Sequence, residues 1–265
     1  MKFKDLVICS DLDGTLIDEQ NKVPKINIEA IEYFRGNGGK FMLATGRLPD
    51  AVYEAIEGVT LDFPCICHNG GSVYDLAKRE YVEITPLDDG VVEVVDEIIR
   101  LFPTVGIEVM NKEGICVARQ NFATKRHIEY ENLDNAFSDG VKNTPKPWMK
   151  IVAAEDPEVV EKIREEFMNS PFRERYNMLK THKYYYEMFN KSASKGTALK
   201  KACEIYGINL KNVIAIGDNE NDISMLEAAG TAAAVENAND VVKKHADIIT
   251  CSNLDGAIAD LINRL

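Results

Sequence analysis

Along the first third of the chain, short apolar runs alternate with segments whose apolar positions recur at helical spacing. Leu6-Val7-Ile8-Cys9 predicts a buried strand. Ile28, Ile31 and Phe34 predict a helix from about Ile26 that ends near the glycines at 36, 38 and 39. Phe41 to Ala44 reads as a second strand, Pro49 opens a helix through Ile56, and Cys65-Ile66-Cys67 reads as a third strand. A β-α-β-α-β rhythm of this kind predicts a parallel sheet with helices on both faces. The rhythm returns near the C-terminus. A helix over Lys195 to Tyr206 precedes a strand at Val213 to Ile216 and a helix around Ile223 to Ala229. A small-residue strand (Ala232 to Val235), a helix near Val241, a strand at Ile248-Ile249 and a helix from Leu254 to Leu265 complete it.

The middle of the chain has a different texture. A helix over Leu87 to Leu101 leads to strand-like runs at Val105 to Met110 and Gly114 to Ala118, and a helix-rich stretch ends at Thr144-Pro145-Lys146-Pro147. A strand at Met149 to Ala153, a helix over Pro157 to Met168 and strands near Tyr176 to Leu179 and Tyr184 to Phe189 follow. The predicted fold class is therefore α/β: a Rossmann-like parallel-sheet core built from residues 1–84 and 187–265, interrupted by an inserted α+β domain over 85–186.

Composition narrows what such a fold is used for. The chain has 265 residues, 45% hydrophobic and 28% charged, enough for a sizeable core without staples. Its formal net charge of −12 repels nucleic-acid backbones and anionic membranes, so neither is an expected partner. A site for an anionic substrate must then be locally electropositive, through a metal, a lysine or helix N-termini. The six cysteines lie mostly in apolar runs and include no C-x-x-C, which fits a reducing compartment. With no signal peptide or membrane-length apolar stretch, the expected location is cytoplasmic. The four histidines are too scattered for a zinc site.

Candidate chemistry sits at predicted strand ends, where ligands bind in parallel α/β sheets. Asp11-Leu12-Asp13-Gly14-Thr15 follows the first strand. Its two close carboxylates repel each other unless a cation or shared proton intervenes, although Asp and Gly also suit an ordinary turn. Thr45-Gly46-Arg47 follows the second strand, with a hydroxyl and backbone N–H suited to a phosphoryl group or to a plain strand-to-helix turn. Arg47 itself faces solvent or pairs with an acid on this reading. Lys195 begins a helix, the wrong end for a cation unless an anion lies between. Gly217-Asp218-Asn219-Glu220-Asn221-Asp222 follows a buried strand, and its oxygen-rich side chains suit a hard cation such as Mg²⁺, against the alternative of a capped helix start. Tyr184, Tyr185 and Tyr186 read as core or hinge packing before substrate stacking.

In combination these motifs resemble the haloacid dehalogenase superfamily (HAD), in particular Cof-type phosphatases with a large α/β cap. The matches are DLDGTLID at 11–18, TGR at 45–47, SKG at 194–196 and GDNEND at 217–222, with softer echoes at Asn69-Gly70 and from Asn237 to Asn253. The resemblance implies a phosphatase acting on a small phosphorylated metabolite such as a sugar phosphate, nucleotide or phosphorylated cofactor. It implies Asp11 as nucleophile, Asp13 as general acid and base with a raised pKa, and Thr45 and Lys195 on the phosphoryl oxygens. It further implies Gly46 and Asn221 at the substrate and Mg²⁺ held by Asp11, Asp218, Asp222 and the Asp13 backbone carbonyl. The inserted domain becomes a substrate-selecting cap. A phosphomutase or phosphotransferase on the same scaffold is the near alternative, and a non-catalytic phosphometabolite sensor the distant one.

Overall fold

The computed structural model describes residues 1–131 and 135–265, which form two compact units: Met1–Glu83 with Ser194–Leu265, and Ile84–Ala193. In chain order the first unit opens with β1 (Val7–Ser10), α1 (Lys25–Gly36), β2 (Lys40–Leu43), α2 (Pro49–Ala55), β3 (Cys65–Cys67), β4 (Ser72–Asp75) and β5 (Glu80–Ile84). The inserted unit contains α3 (Val91–Leu101), β6 (Gly106–Asn111), β7 (Gly114–Arg119), α4 (Phe122–Glu131), β8 (Asn135–Phe137), β9 (Lys150–Ala154), α5 (Pro157–Phe167), α6 (Phe172–Arg175), β10 (Tyr176–His182) and β11 (Tyr185–Asn190). The first unit resumes with α7 (Lys195–Tyr206), β12 (Val213–Gly217), α8 (Ile223–Ala228), β13 (Thr231–Ala234), α9 (Asp240–Lys243), β14 (Ile248–Ile249) and α10 (Ala257–Arg264). Among the described residues, no helix is long and apolar enough to cross a membrane.

The first unit is built on a parallel sheet in the order β14-β13-β12-β1-β2. Its central strands are buried on both faces, which is why β1 and β12 read as continuous apolar runs. Each fully buried Ile or Leu there stabilises the fold by about 2 kcal/mol. From β1 the chain runs outward to β2 on one side, and from β12 to β13 and β14 on the other. The strand order therefore reverses between β1 and β12, and the crevice beyond their carboxyl ends is the topological switch point.

The third predicted strand behaves differently. β3 meets the parallel sheet through a single bridge, Ala44 to Ile66, and otherwise pairs antiparallel with β4 in a separate β3-β4-β5 sheet. The turn responsible has three consecutive residues in left-handed backbone, His68 (φ 55°), Asn69 (φ 55°) and Gly70 (φ 94°). A Cβ at Gly70 would collide with the Ser194 carbonyl, so only glycine lets this turn press against the start of α7.

The inserted unit has a six-stranded sheet, β10-β11-β9-β6-β7-β8, with helices α3 and α5 over a core that includes Ile107, Val109, Ile151, Ala153, Tyr186 and Met188. It extends beyond residue 186 to Ala193 because β11 is hydrogen-bonded to both β9 and β10. Helix α3 starts at Val91 instead of Leu87, since the Gly90 N–H is drawn into a turn by the Asp88 carboxylate.

Candidate active site at the switch point

Asp11 is the first residue beyond β1, and its N–H donates to the Ile216 carbonyl of β12 at 2.9 Å. That bond extends the β1–β12 pairing by one step and fixes the Asp11 side chain at the crevice. Asp218 leaves β12 on the same edge. One oxygen each from Asp11, Asp218 and Asp222 lies within 4.8 Å of the others, so the three side chains can share a single ion. Gly14 makes this approach possible. It sits at φ 74°, and a Cβ there would come within 2.6 Å of Asp218 Oδ2.

Lys195 reaches the same point from the N-terminus of α7. Ser194 caps that helix in a reciprocal box with Thr197, which sets the angle at which the lysine enters the core. Its side chain is fully buried, with Nζ 2.5 Å from Asp11 Oδ1 and 2.6 Å from Asp222 Oδ1. The anions that justify a cation at this helix end are thus, in the first place, the protein's own carboxylates. Asp222 completes the frame: its Oδ2 accepts the N–H groups of Asp218 (2.9 Å) and Asn219 (3.0 Å), tying the acidic loop to the lysine.

Buried Asp11 and Asp222 and half-buried Asp218 face one ammonium, and the imbalance shows at Asp11 and Asp218. Burial first, then the neighbouring Asp222, pushes the Asp218 pKa up to about 6, against the pull of Asp11, Lys195 and Thr15. Asp11 is raised well above the ordinary carboxylate range by burial and then by Asp222, with Lys195 opposing. Burial works against the charge on Lys195, but Asp11 and Asp222 outweigh it and its pKa is raised, so it stays an ammonium. An all-oxygen, acid-rich donor set short of positive charge fits a hard divalent cation such as Mg²⁺.

The remaining predicted residues surround this cluster in varied ways. Thr45 is buried, and its hydroxyl accepts the Arg47 N–H at 3.1 Å, leaving the hydroxyl hydrogen for another acceptor. Its own N–H is committed to the Ile66 carbonyl. Thr15 donates to Asp218 Oδ1 at 3.3 Å. Gly46 packs closely on Asn69, where a Cβ would come within 3.0 Å of the amide oxygen. Asn221 donates to that same oxygen at 2.9 Å, joining the acidic loop to the turn after β3. The asparagines of the C-terminal echo hold the loop after β1 from outside: Asn237 donates to the Gly14 carbonyl and Asn253 to that of Ile17, each at 2.8 Å.

Asp13 stands apart from the carboxylate cluster. Its side chain is 53% exposed and outside the group of three carboxylates, so it is not a side-chain ligand there. The Arg47 guanidinium grips it as a fork, with Nε 3.0 Å from Oδ2 and Nη2 2.6 Å from Oδ1. Arg47 also donates to Asn21 Oδ1 at 2.5 Å, which fixes the fork. A guanidinium is a partner for a carboxylate, so proton delivery by Asp13 requires the pair to open. Of the two sequence readings of Arg47, pairing with an acid is the one observed.

A sequence profile described as haloacid dehalogenase-like hydrolase matches residues 8–262, nearly the whole chain. The chain belongs to the haloacid dehalogenase-like hydrolases. Among curated relatives, the pyridoxal phosphate phosphatase YbhA of Escherichia coli (strain K12) is 29% identical, over 97% of each chain. The 5-amino-6-(5-phospho-D-ribitylamino)uracil phosphatase YwtE of Bacillus subtilis (strain 168) is 28% identical, also over 97% of each. In structure, the hydrolase superposes on a haloacid dehalogenase-like hydrolase from Bacteroides thetaiotaomicron with a TM-score of 0.84 at 24% identity, covering 98% of this chain and 99% of the other.

Proposed function

We propose that this phosphatase hydrolyses small phosphomonoesters through a phospho-aspartate on Asp11, with Mg²⁺ as its cofactor. The observation that carries the reading is the position of Asp11 at the end of the central strand, 2.5 Å from the Lys195 ammonium and grouped with Asp218 and Asp222 within 4.8 Å. An Asp11 carboxylate oxygen attacks phosphorus as the bond to the leaving oxygen breaks, and Asp13, released from Arg47, gives that oxygen a proton. Asp13 then takes a proton from the water that attacks the phospho-aspartate, and phosphate leaves with Asp11 restored. Splitting one displacement into two in this way is the gain from a carboxylate nucleophile. Lys195 and the Thr45 hydroxyl meet the charge that gathers on the phosphoryl oxygens. Asp11 and Asp218, with the Asp13 backbone carbonyl, would hold the Mg²⁺, and Asp222 would ligate it or anchor the loop that does. Bound there, the ion would supply positive charge that favours the ionised form of Asp11 and polarises the phosphoryl group.

Its relatives' names point to phosphorylated vitamins and biosynthetic intermediates as the range of substrates, and we assign the inserted unit the task of choosing among them. Six free cysteines fit action in the cytoplasm. The test is phosphate release from a panel of phosphorylated metabolites with and without Mg²⁺, by the natural chain and by Asp11→Asn. The variant should lose turnover by more than about a hundredfold with its fold intact, and normal hydrolysis by Asp11→Asn would refute the assignment. Transfer to an added alcohol in place of release to water would mark a phosphotransferase instead.

A further inference from the structure

Arg47 is held by more than Asp13. Its backbone is fixed on both sides: its N–H donates to the Thr45 hydroxyl at 3.1 Å, and its carbonyl accepts the His68 N–H at 3.2 Å. The half-buried guanidinium divides its donors among three acceptors. Nε lies 3.0 Å from Asp13 Oδ2, and Nη1 donates to the Ala51 carbonyl of α2 at 3.4 Å. Nη2 is shared between Asp13 Oδ1 at 2.6 Å and Asn21 Oδ1 at 2.5 Å. Asn21 stands at φ 62°, a left-handed backbone that asparagine adopts more readily than most residues, and a short closed turn keeps it there. The Asp18 carboxylate accepts the N–H groups of Gln20 (2.8 Å) and Lys22 (3.0 Å). The Asp18 N–H donates to the Lys22 carbonyl at 2.9 Å, and the Asn21 N–H to the Asp18 carbonyl at 3.1 Å. Ile17, just before the turn, is buried, and its carbonyl is held by Asn253. An amide oxygen on a turn built this firmly is a fixed acceptor, and it is aimed at Arg47.

The arrangement meets a need that the Asp13–Arg47 pair creates. Asp13 has to part from Arg47 to protonate a leaving oxygen, and a guanidinium released with it would follow the carboxylate or turn to the phosphoryl charge. We propose that Asn21 is a positioning residue for the reaction: it holds Arg47 in place, so that Asp13 departs from and returns to a fixed guanidinium. With Asp13 away, Nη2 keeps one N–H on the Asn21 amide oxygen and Nη1 keeps its bond to the Ala51 carbonyl, so the carboxylate alone moves. Asn21, Arg47, Asp13 and Ala51 all belong to the first unit. The inference rests on the phosphatase reading above, with Asp13 as its acid.

Two substitutions separate the amide oxygen from the turn that carries it. Asn21→Gly removes the oxygen and stays at ease in left-handed backbone, while Asn21→Asp keeps an acceptor at the same point. Phosphate release with Mg²⁺ present is compared on propyl phosphate, whose alkoxide needs an acid to leave, and on p-nitrophenyl phosphate, whose leaving group does not. In Asn21→Gly, kcat/KM should fall roughly fivefold to fiftyfold on propyl phosphate and less than about threefold on p-nitrophenyl phosphate. Asn21→Asp should restore propyl phosphate to within about threefold of the natural chain. Added to Arg47→Gln, Asn21→Gly should lower kcat/KM no further, because the amide acts only through the guanidinium. No loss in Asn21→Gly, an equal loss on both esters, a loss as large in Asn21→Asp, or losses that multiply with Arg47→Gln would each overturn the inference. Natural turnover of propyl phosphate by Asp13→Asn would instead remove Asp13 as the acid, and the inference with it. Failure of the natural chain to release phosphate from either ester would overturn the phosphatase reading itself.

Discussion

Removing the lysine between two buried carboxylates perturbs the site at its electrostatic centre. Lys195→Met keeps the length of the side chain and deletes the charge. Lys195, Asp11 and Asp222 are 0%, 7% and 0% exposed, so water cannot take over the lost contacts. At an effective dielectric of about 20, a contact at this distance is roughly 6 kcal/mol of attraction, most of it offsetting the desolvation of the partners. Without the ammonium, the least costly relief is a proton on one carboxylate. A carboxyl with an ordinary pKa of about 3.9 holds a proton at pH 7 only at a cost of about 4 kcal/mol, at 1.36 kcal/mol per unit. That sets the ceiling on the loss, and it agrees with the ~3–5 kcal/mol typical of broken buried pairs.

The sign of the pH dependence follows. In the variant the carboxylate pKa is higher folded than unfolded, so stability falls as pH rises above the unfolded value and recovers toward acid. At pH 5 the same proton costs only about 1.5 kcal/mol, and the gap to the natural chain should narrow accordingly. In the natural chain the raised pKa of Lys195 contributes stability below its unfolded value near 10.4, lost only as pH climbs through the folded one, so the lysine adds no slope between pH 5 and 7. Urea unfolding followed by helical circular dichroism at both pH values measures the difference. Fluorescence of the single tryptophan, Trp148, reports on the inserted unit instead. Added Mg²⁺ should stabilise the variant more than the natural chain, because it replaces missing positive charge. Equal stability at pH 7, or a gap that widens toward acid, would refute the reasoning.

Two further substitutions probe how the loops present their groups. Gly14→Ala forces a side chain into left-handed backbone and against Asp218, so it should cost about 1–2 kcal/mol in stability and raise the Mg²⁺ concentration for half-maximal phosphate release roughly tenfold; an unchanged Mg²⁺ dependence would count against a metal at Asp218. Arg47→Gln removes the fork that positions Asp13, and should lower kcat/KM for alkyl phosphates roughly tenfold to a hundredfold while sparing p-nitrophenyl phosphate, whose leaving group needs little help from an acid. On an Asp13→Asn background it should do nothing more, and an additive loss would show that Arg47 acts elsewhere.

The parallel core was legible because strands buried on both faces appear as unbroken apolar runs, and because glycine and acidic residues punctuate their ends. β1, β12, α7 and the loops bearing Asp11 and Asp218 needed no tertiary information to find. The β3-β4-β5 sheet was hidden, since Ser72 to Ile84 has no long apolar run and the reversal depends on His68 and Asn69 adopting a backbone that their residue types do not announce. Long-range pairs were hidden for a different reason. Lys195 and Asp11 are 184 residues apart and Arg47 and Asp13 are 34 apart, so no local spacing records them. Buried Glu108 and Lys150 of the inserted sheet were hidden as well, because each stands beside apolar neighbours inside strands that read as ordinary core.

The burial of the site explains why it gathers so many acids around one lysine. A carboxylate nucleophile must be charged to attack, yet the depth that shields Asp11 from water pushes its pKa upward. Lys195 opposes that push but is shared with Asp222, which also secures the acidic loop. The chain's own charges therefore oppose the ionisation of Asp11, and Asp218, itself raised to about 6, adds to that opposition. A second lysine would settle the charge but would occupy the space a phosphoryl group needs. A small divalent ion held by Asp11 and Asp218 would supply the charge without a side chain's bulk. On this view the surplus of acid is what couples the nucleophile's readiness to the presence of the metal.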